Sequence, residues 1–501
     1  MSIPSQAIAE DYRPALHFTA DRTWINDPNG LIHHRGLYHL FYQNNPHGNV
    51  WGNISWGHAT SPDLVHWSEH SVAISSDERE DAFSGSVVFD RGNTSGFGTQ
   101  QALPLVAVYT SAFKRGTPNQ GIQAQSLAYS LDGGFTWTKH ASNPVLSRDS
   151  GEFRDPKVFW YPGPGKPGWI MAAVEAVDRK VVLYRSDDLK SWDPLSEFGP
   201  ANATGGVWEC PDLFPLPLDG DHTNIKWVLT VNLNPGGPNG GSAGQYFVGH
   251  FDGREFISET TITEGIGADA EVESFQWIDW GRDYYAAVSF NDAPDGRRIM
   301  IGWMNNWDYA ERTPTAPWRS AMSLPREITL VSVDGKPRLR QIPVPEVDQQ
   351  FGHTFSLGPV LLNNETFPVP TPEASARVIE VEFGRGTASQ FGVVVRSFSH
   401  AETRITVRPA AGLMFLDRTK SGDTSFHPSF ASRDTAPIRD DGGRYILRVY
   451  LDRCSAEVFA QNGLVAMTEL AFPDEPTALA LFADGGTAPV SHLTVRALNS
   501  E

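Results

Sequence analysis

Apolar and polar residues alternate along this chain in short runs, such as Leu37-Tyr-His-Leu-Phe-Tyr42 and Ile299-Met-Ile-Gly-Trp303. Gly, Pro, Asn and Asp bound most of the runs, and the 3.6-residue period of a helix is scarce, so the pattern predicts an all-β protein. Ser61-Pro-Asp-Leu-Val-His-Trp67, Ser130-Leu-Asp-Gly-Gly-Phe-Thr-Trp137 and Ser186-Asp-Asp-Leu-Lys-Ser-Trp192 share Ser-x-Asp, a turn and then Trp. His250-Phe-Asp-Gly-Arg-Glu-Phe256 is a fainter copy. Asp63, Asp132, Asp188 and Asp252 follow one another at intervals of 69, 56 and 64 residues. A period of that size with several strands in each unit is the signature of a β-propeller. Asp and Gly suit a hairpin turn, and the Trp is expected to pack between neighbouring units.

Five units follow from this period. The first runs from Trp24 to Trp67, the second from near Phe83-Ser-Gly-Ser86 to Trp137, the third from Arg154 to Trp192 and the fourth from Trp208 to Phe256. The fifth starts near Gly281–Tyr285, includes Ile299–Trp303 and is expected to end in the strand Arg326–Val331. Arg340–Glu346 reads as a linker. Beyond it, Ala376–Phe383, Phe391–Arg396, Tyr445–Tyr450, Ser455–Phe459 and Leu479–Phe482 read as evenly spaced strands of a β-sandwich. The expected organisation is a five-bladed propeller over residues 12–340 and a sandwich over 350–498. No acidic cluster recurs in the sandwich, so support is expected of it rather than chemistry; sugar binding is the sharper alternative.

Composition narrows the function. The 501 residues are long enough for two cores, and the chain carries 15 Trp and 28 Phe, residues on which the C–H faces of sugars stack. A net charge of −19 disfavours nucleic acid and anionic membrane surfaces as partners and suits a neutral polar substrate. Cys210 and Cys454 lie too far apart in kind of segment to suggest a disulfide, nothing has metal-site spacing, and His33, His34 and His39 read as structural. Neither a metal nor a cofactor is expected. Residues 1–10 lack a basic start and an apolar stretch, which predicts a cytoplasmic location unless a leader has been removed, and no run approaches a membrane span.

Three motifs carry candidate chemistry: Trp24-Ile-Asn-Asp-Pro-Asn-Gly30, Arg154-Asp-Pro156 and Trp208-Glu-Cys-Pro211. Each places one carboxylate (Asp27, Asp155 or Glu209) on or just before the first strand of its unit. First strands line a propeller's axis, so the three are predicted to converge in one funnel. Two converging carboxylates suffice for glycosidic cleavage with retention. Trp208 and Pro211 suggest an apolar surround that raises Glu209 from about 4.3 towards about 6, which suits a proton donor. Asn26, Asn29 and Gly30 suggest donors that hold Asp27 ionised, which suits a nucleophile. Arg154 suggests a cation that keeps Asp155 charged, which suits a stabiliser of developing positive charge.

These motifs resemble those of glycoside hydrolase family 32, the invertases, exo-inulinases and levanases. Trp51-Gly-Asn-Ile-Ser-Trp-Gly-His58, Phe83–Ser86, Asn234-Pro-Gly-Gly237, Gly302-Trp-Met-Asn-Asn306, Pro317-Trp-Arg-Ser320 and Leu451–Phe459 match in order as well, from about residue 12 to about 496. Ile25 stands where the first motif more usually has Met. The resemblance implies a five-bladed propeller with a β-sandwich and retaining hydrolysis of β-fructofuranosides, with Asp27 as nucleophile, Glu209 as acid/base and Asp155 as transition-state stabiliser. It further implies a fructose pocket of Asn26, Gln43, Trp51, Phe83, Ser84 and Arg154 with Trp303 at its floor, and Asn234 facing the leaving-group sugar. The forms of the Trp51 and Trp208 motifs resemble the exo-inulinase, levanase and yeast-invertase branch more than the branch acting on phosphorylated sucrose. An exo-acting fructanase with some sucrose activity is therefore expected, with a plain invertase or a fructosyltransferase as alternatives. A lectin-like propeller would need no acid pair, and the Asn-Asp-Pro-Asn-Gly form of the first motif argues against an arabinan-cleaving relative.

Overall fold

In the computed structural model, the described residues are 10–163, 166–262, 276–371, 374–397, 399–473 and 477–499. The first of five antiparallel blades pairs Trp24–His34, Leu37–Asn45, Ser55–Ser61 and Ser68–Ile74 in that order. Blade II pairs Glu80–Phe89, Leu105–Phe113, Gln123–Ser130 and Thr138–Lys139, and blade III pairs Phe153–Tyr161, Gly168–Glu175, Lys180–Ser186 and Asp193–Phe198. Val207–Leu218, Asp221–Asn234, Ala243–Phe251 and Phe256–Ser258 make blade IV. Blade V consists of Tyr285–Ser289, Ile299–Met304, Arg326–Val333 and Lys336–Pro343. The expected last strand, Arg326–Val331, is thus the third of its blade. Arg340–Pro343, read from sequence as linker, completes the outer strand, because the turn at Asp334-Gly335, both with positive φ, sends the chain back along its neighbour.

The Ser-x-Asp repeat is the turn between the third and fourth strands. In blade II, Ser130 Oγ donates to Asp132 Oδ1 at 2.7 Å, that oxygen accepts the N–H groups of Phe135 and Thr136, and the Trp137 indole donates to the Gly134 carbonyl. Asp63 with Trp67 and Asp188 with Trp192 repeat the arrangement in blades I and III. In blade IV, Asp252 accepts the N–H groups of Arg254 and Glu255. Trp137 meets Phe41 of blade I edge-on at 5.5 Å, so this turn residue does pack between blades. A parallel bridge from Ile32 to Asn291 joins blades V and I and closes the ring.

Two packed sheets follow the short helix Pro345–Asp348. One orders Phe351–Leu357, Thr487–Leu498, Arg377–Gly384, Arg444–Asp452, Ser455–Ala460 and Val465–Leu470, with Val360–Asn363 also on Thr487–Leu498. The other orders Thr366–Val369, Thr477–Asp484, Gln390–Ser397, Glu402–Arg408, Leu413–Lys420 and Arg433–Pro437. Their inward residues, among them Val381, Phe383, Val393, Val407, Leu447 and Leu481, form the sandwich core.

The propeller meets the sandwich through buried charge. Arg326 is fully buried and donates to Asp279 at 2.8 Å and Glu457 at 2.6 Å. His17 bridges Asp452 and Glu457 at 2.7 and 2.8 Å. Arg418 pairs with Asp283 and Glu469 at 2.5 and 2.8 Å. Buried ions satisfied on several sides hold their geometry, because removing any one strands the others out of water.

Candidate active site

Each inner strand has a break in register near its start. The irregularities fall between Ile25 and Pro28, Phe83 and Gly85, Glu209 and Asp212, and Tyr285 and Val288, and in blade III opposite Ala172–Val174, at Asp155-Pro156. A bulge rotates the backbone and re-aims the side chain that it carries. Pro follows Asp27, Asp155 and Cys210, and a residue without an N–H is tolerated in a strand at such a bulge. Asp155, Cys210 and Ala286 share positive φ values of 61°, 44° and 53°. By this register the counterpart of Asp27 and Asp155 in blade IV is Cys210, and Glu209 corresponds to Arg154 and Asn26. The acids thus occupy two adjacent levels of the axis.

Hydrogen bonds tie the levels together. Asp27 Oδ2 accepts Ser84 Oγ at 2.6 Å and the Cys210 thiol at 3.5 Å, and Asp27 Oδ1 accepts Asn26 Nδ2 at 3.0 Å. Asp155 Oδ2 accepts the Cys210 N–H at 2.9 Å and lies 3.7 Å from its sulfur. Glu209 Oε1 faces Arg154, whose Nε and Nη2 lie 3.2 and 3.1 Å away, and Glu209 Oε2 accepts the Tyr285 hydroxyl at 2.5 Å. Arg154 is held in turn by Glu152 at 2.8 Å and Gln123 at 3.2 Å. The predicted convergence of Asp27, Asp155 and Glu209 is therefore present in the fold.

The environments differ from those that chain neighbours suggested. Arg154 turns towards Glu209 and stays 3.9 Å from Asp155, because adjacent strand residues point to different sides. Burial pushes Asp155 up to about 7, against the pull of Arg154 and with the push of Glu209 and Asp27. Burial likewise raises Asp27, opposed by its bond from Ser84 and reinforced by the charge of Glu209. Asn26 does donate to Asp27 as the sequence implied, but burial outweighs the donors of Asp27, and at Asp155 it outweighs the pull of Arg154. The apolar surround expected of Glu209 is also absent: Trp208 turns away into the core and donates to the Ala203 carbonyl, leaving Glu209 between a guanidinium and a phenol. Arg154 is held charged: against burial, the charges of Glu209 and then Asp155 raise it.

Of the residues that the resemblance assigned to the sugar, Asn26, Ser84 and Arg154 touch the acids directly. Gln43 is buried and donates to the Ala82 carbonyl at 3.0 Å, beside the blade II bulge. Trp51, 44 % exposed, meets Phe83 edge-on at 6.1 Å and presents an open aromatic corner. Asn234 ends the second strand of blade IV at a cis bond to Pro235, and among the described residues no hydrogen bond joins it to the acids. Trp303 is not open to the funnel as its expected place at the floor would need; it is fully buried among Trp24, Tyr285 and Trp307. Tyr285, Cys210, Gln123 and Glu152 were not anticipated as site residues. The inner-strand rule extended to blade V lands on Tyr285, so the signal for it was present.

Sequence comparison matches residues 17–343 to the glycosyl hydrolases family 32 N-terminal domain and residues 349–497 to the glycosyl hydrolases family 32 C-terminal domain. A levanase of Bacillus subtilis (strain 168) is 43 % identical over 498 residues, spanning 98 % of this chain and 71 % of that one. An extracellular exo-inulinase of Aspergillus ficuum is 42 % identical over 514 residues, spanning 96 % of this chain and 93 % of its own. The crystal structure of an exo-inulinase from Aspergillus awamori superposes with a TM-score of 0.90 at 39 % identity, covering both chains in full. Motifs, blade architecture and matches along nearly the whole length agree, and the chain belongs to glycosyl hydrolase family 32.

Proposed function

We propose that this protein is a retaining β-fructofuranosidase that releases terminal fructose from fructans such as inulin and levan, and from sucrose. The observation that carries this reading is one funnel in which Asp27 and Glu209 sit in unlike surroundings, Asp27 among neutral donors and Glu209 against Arg154 and Tyr285. Asp27 attacks the anomeric carbon of the terminal fructosyl unit while Glu209 passes its proton to the leaving oxygen, and the glycosidic C–O bond breaks. Arg154 and Tyr285 then stabilise the carboxylate left on Glu209. A water gives its proton to that carboxylate and attacks the anomeric carbon, which returns Asp27 and frees β-fructose. Retention needs the two carboxyl groups about 5–5.5 Å apart. Asp155, held by the Cys210 N–H, faces the same space as an acceptor for the sugar's hydroxyls.

The levanase and exo-inulinase relatives favour polymeric fructosides as substrates, and the exposed corner of Trp51 and Phe83 supplies an apolar face for a further sugar ring. Product analysis on sucrose, inulin and levan tests the proposal. Fructose as the first and principal product from both polymers is expected. Oligofructosides as first products would refute exo-action, and lengthened fructosides as the main product would make transfer the principal activity.

A further inference from the structure

The inner strands that begin at the acids end at a second opening. Along blade III, Asp155 faces the funnel, Lys157 lies deeper on the same side, and Phe159 and Tyr161 line a cavity of about 860 Å³ at the far end. The cavity reaches outward between blades III and IV, where Trp227 and Phe251 complete an aromatic wall. Ring centroids are 5.0 Å apart for Trp227 and Phe251, 5.3 Å for Tyr161 and Phe251, and 5.7 Å for Phe159 and Trp227. Trp160 at its edge is 45 % exposed and stands edge-on to Trp169. A packed layer separates this space from the funnel: Lys157 Nζ donates to the Ser289 carbonyl at 2.6 Å and lies 3.2 Å from Asp212.

The cavity's charges do not pair evenly. Asp212 neutralises Lys157, and Asp292 neutralises Arg91 at the rim, 3.2 Å apart in both cases. Asp252, exposed at the mouth, is engaged by the N–H groups of its own turn. Arg298 remains. Its Nη1 donates to Ser289 Oγ and the Phe290 carbonyl, its guanidinium stacks on Phe214 at 4.9 Å, and no carboxylate of the described residues lies within 4 Å of it. Burial depresses its pKa, with only the charge of Asp212 opposing, which is the mark of a cation short of a counter-ion. A partly buried guanidinium with free donors fits a planar anion bidentately, and flat aromatic walls fit an apolar body.

We propose that this distal cavity is a second ligand site that takes an organic anion with a flat apolar body, its acidic group on Arg298 and its body against Trp227 and Phe251. The site is separate from the catalytic funnel and does not depend on the fructosidase reading. The test is a fluorescence titration of the full chain with 1-anilinonaphthalene-8-sulfonate and with its uncharged counterpart N-phenyl-1-naphthylamine. Saturable one-to-one binding of the sulfonate is expected, at least tenfold tighter than the uncharged amine and unaltered by saturating fructose. Arg298→Gln is expected to weaken the sulfonate at least tenfold while leaving sucrose turnover unchanged. Equal affinity for the two probes on the unmodified protein, absence of saturable binding or displacement by fructose would each overturn the proposal without reference to any variant. Undiminished binding to a folded Arg298→Gln protein would overturn it as well.

Discussion

Glu209 takes its properties from residues far away in sequence, Arg154 and Tyr285, and not from Trp208 or Cys210 beside it. Tyr285→Phe removes one donor while keeping the ring against Trp303, and is expected to lower kcat/KM on sucrose roughly tenfold, the scale of one hydrogen bond to a charged group. An aryl fructoside, whose leaving group needs little protonation, should lose much less; equal losses on both substrates would place Tyr285 outside proton transfer. The proposed attack needs Asp27 ionised, and burial lifts its pKa above the ordinary 3.8. The acid limb of kcat/KM is therefore expected above that value. Ser84→Ala deletes a hydrogen bond that favours the charged form and should move the limb to higher pH, read from pH–rate profiles; an unmoved or lowered limb would contradict the role given to that bond.

At the level of strands and turns, one repeat governs two features, the Asp-capped turn between outer strands and the bulge in the inner strand. The turn was legible in sequence because Asp, Gly and Trp are local signals with local partners. The bulge was not, since a single displaced residue changes register without changing the alternation of apolar and polar positions; only the Pro after Asp27, Asp155 and Cys210 hints at it. This is why the convergence of the acids was readable and their partners were not: side-chain direction at a bulge decides whether Arg154 meets Asp155 or Glu209. Strands such as Glu402–Arg408 and Thr487–Leu498 also escaped notice, the first because its inward face offers only Thr403, Ile405 and Val407, the second because Ser491-His492 shifts the alternation from Ala488 and Val490 to Leu493 and Val495. Gly30 tests the packing of the bulged strand. It has a φ of +54°, and a Cβ there would come within 2.8 Å of Phe41 and Val87 and 3.0 Å of Trp56. Gly30→Ala is expected to cost roughly 3 kcal/mol in denaturant unfolding, from strain and overpacking together. A loss below about 0.5 kcal/mol would contradict that geometry.

Across the whole molecule, the sandwich is joined to the propeller by charges that neither half could bury alone. His17, just ahead of blade I, has its pKa raised to about 9 because its bonds to Asp452 and Glu457 in the sandwich outweigh the opposing effect of burial. A group whose folded pKa exceeds its unfolded value stabilises fully below the unfolded value, here 6.5, and loses that contribution as pH rises through about 9. The melting temperature is thus expected to fall between those values, by the equivalent of about 3 kcal/mol. His17→Gln should abolish that slope, and a slope that survives the substitution would assign it to other groups.

In the proposed mechanism, Asp27 and Glu209 act on one glycosidic bond through a covalent fructosyl intermediate. Turnover of sucrose in aqueous methanol tests it most directly, because methanol intercepts that intermediate and yields a methyl fructoside that does not mutarotate. Nuclear magnetic resonance of the product is expected to show methyl β-fructofuranoside. Formation of the α-anomer would rule that mechanism out, since it requires a single displacement with no intermediate on Asp27.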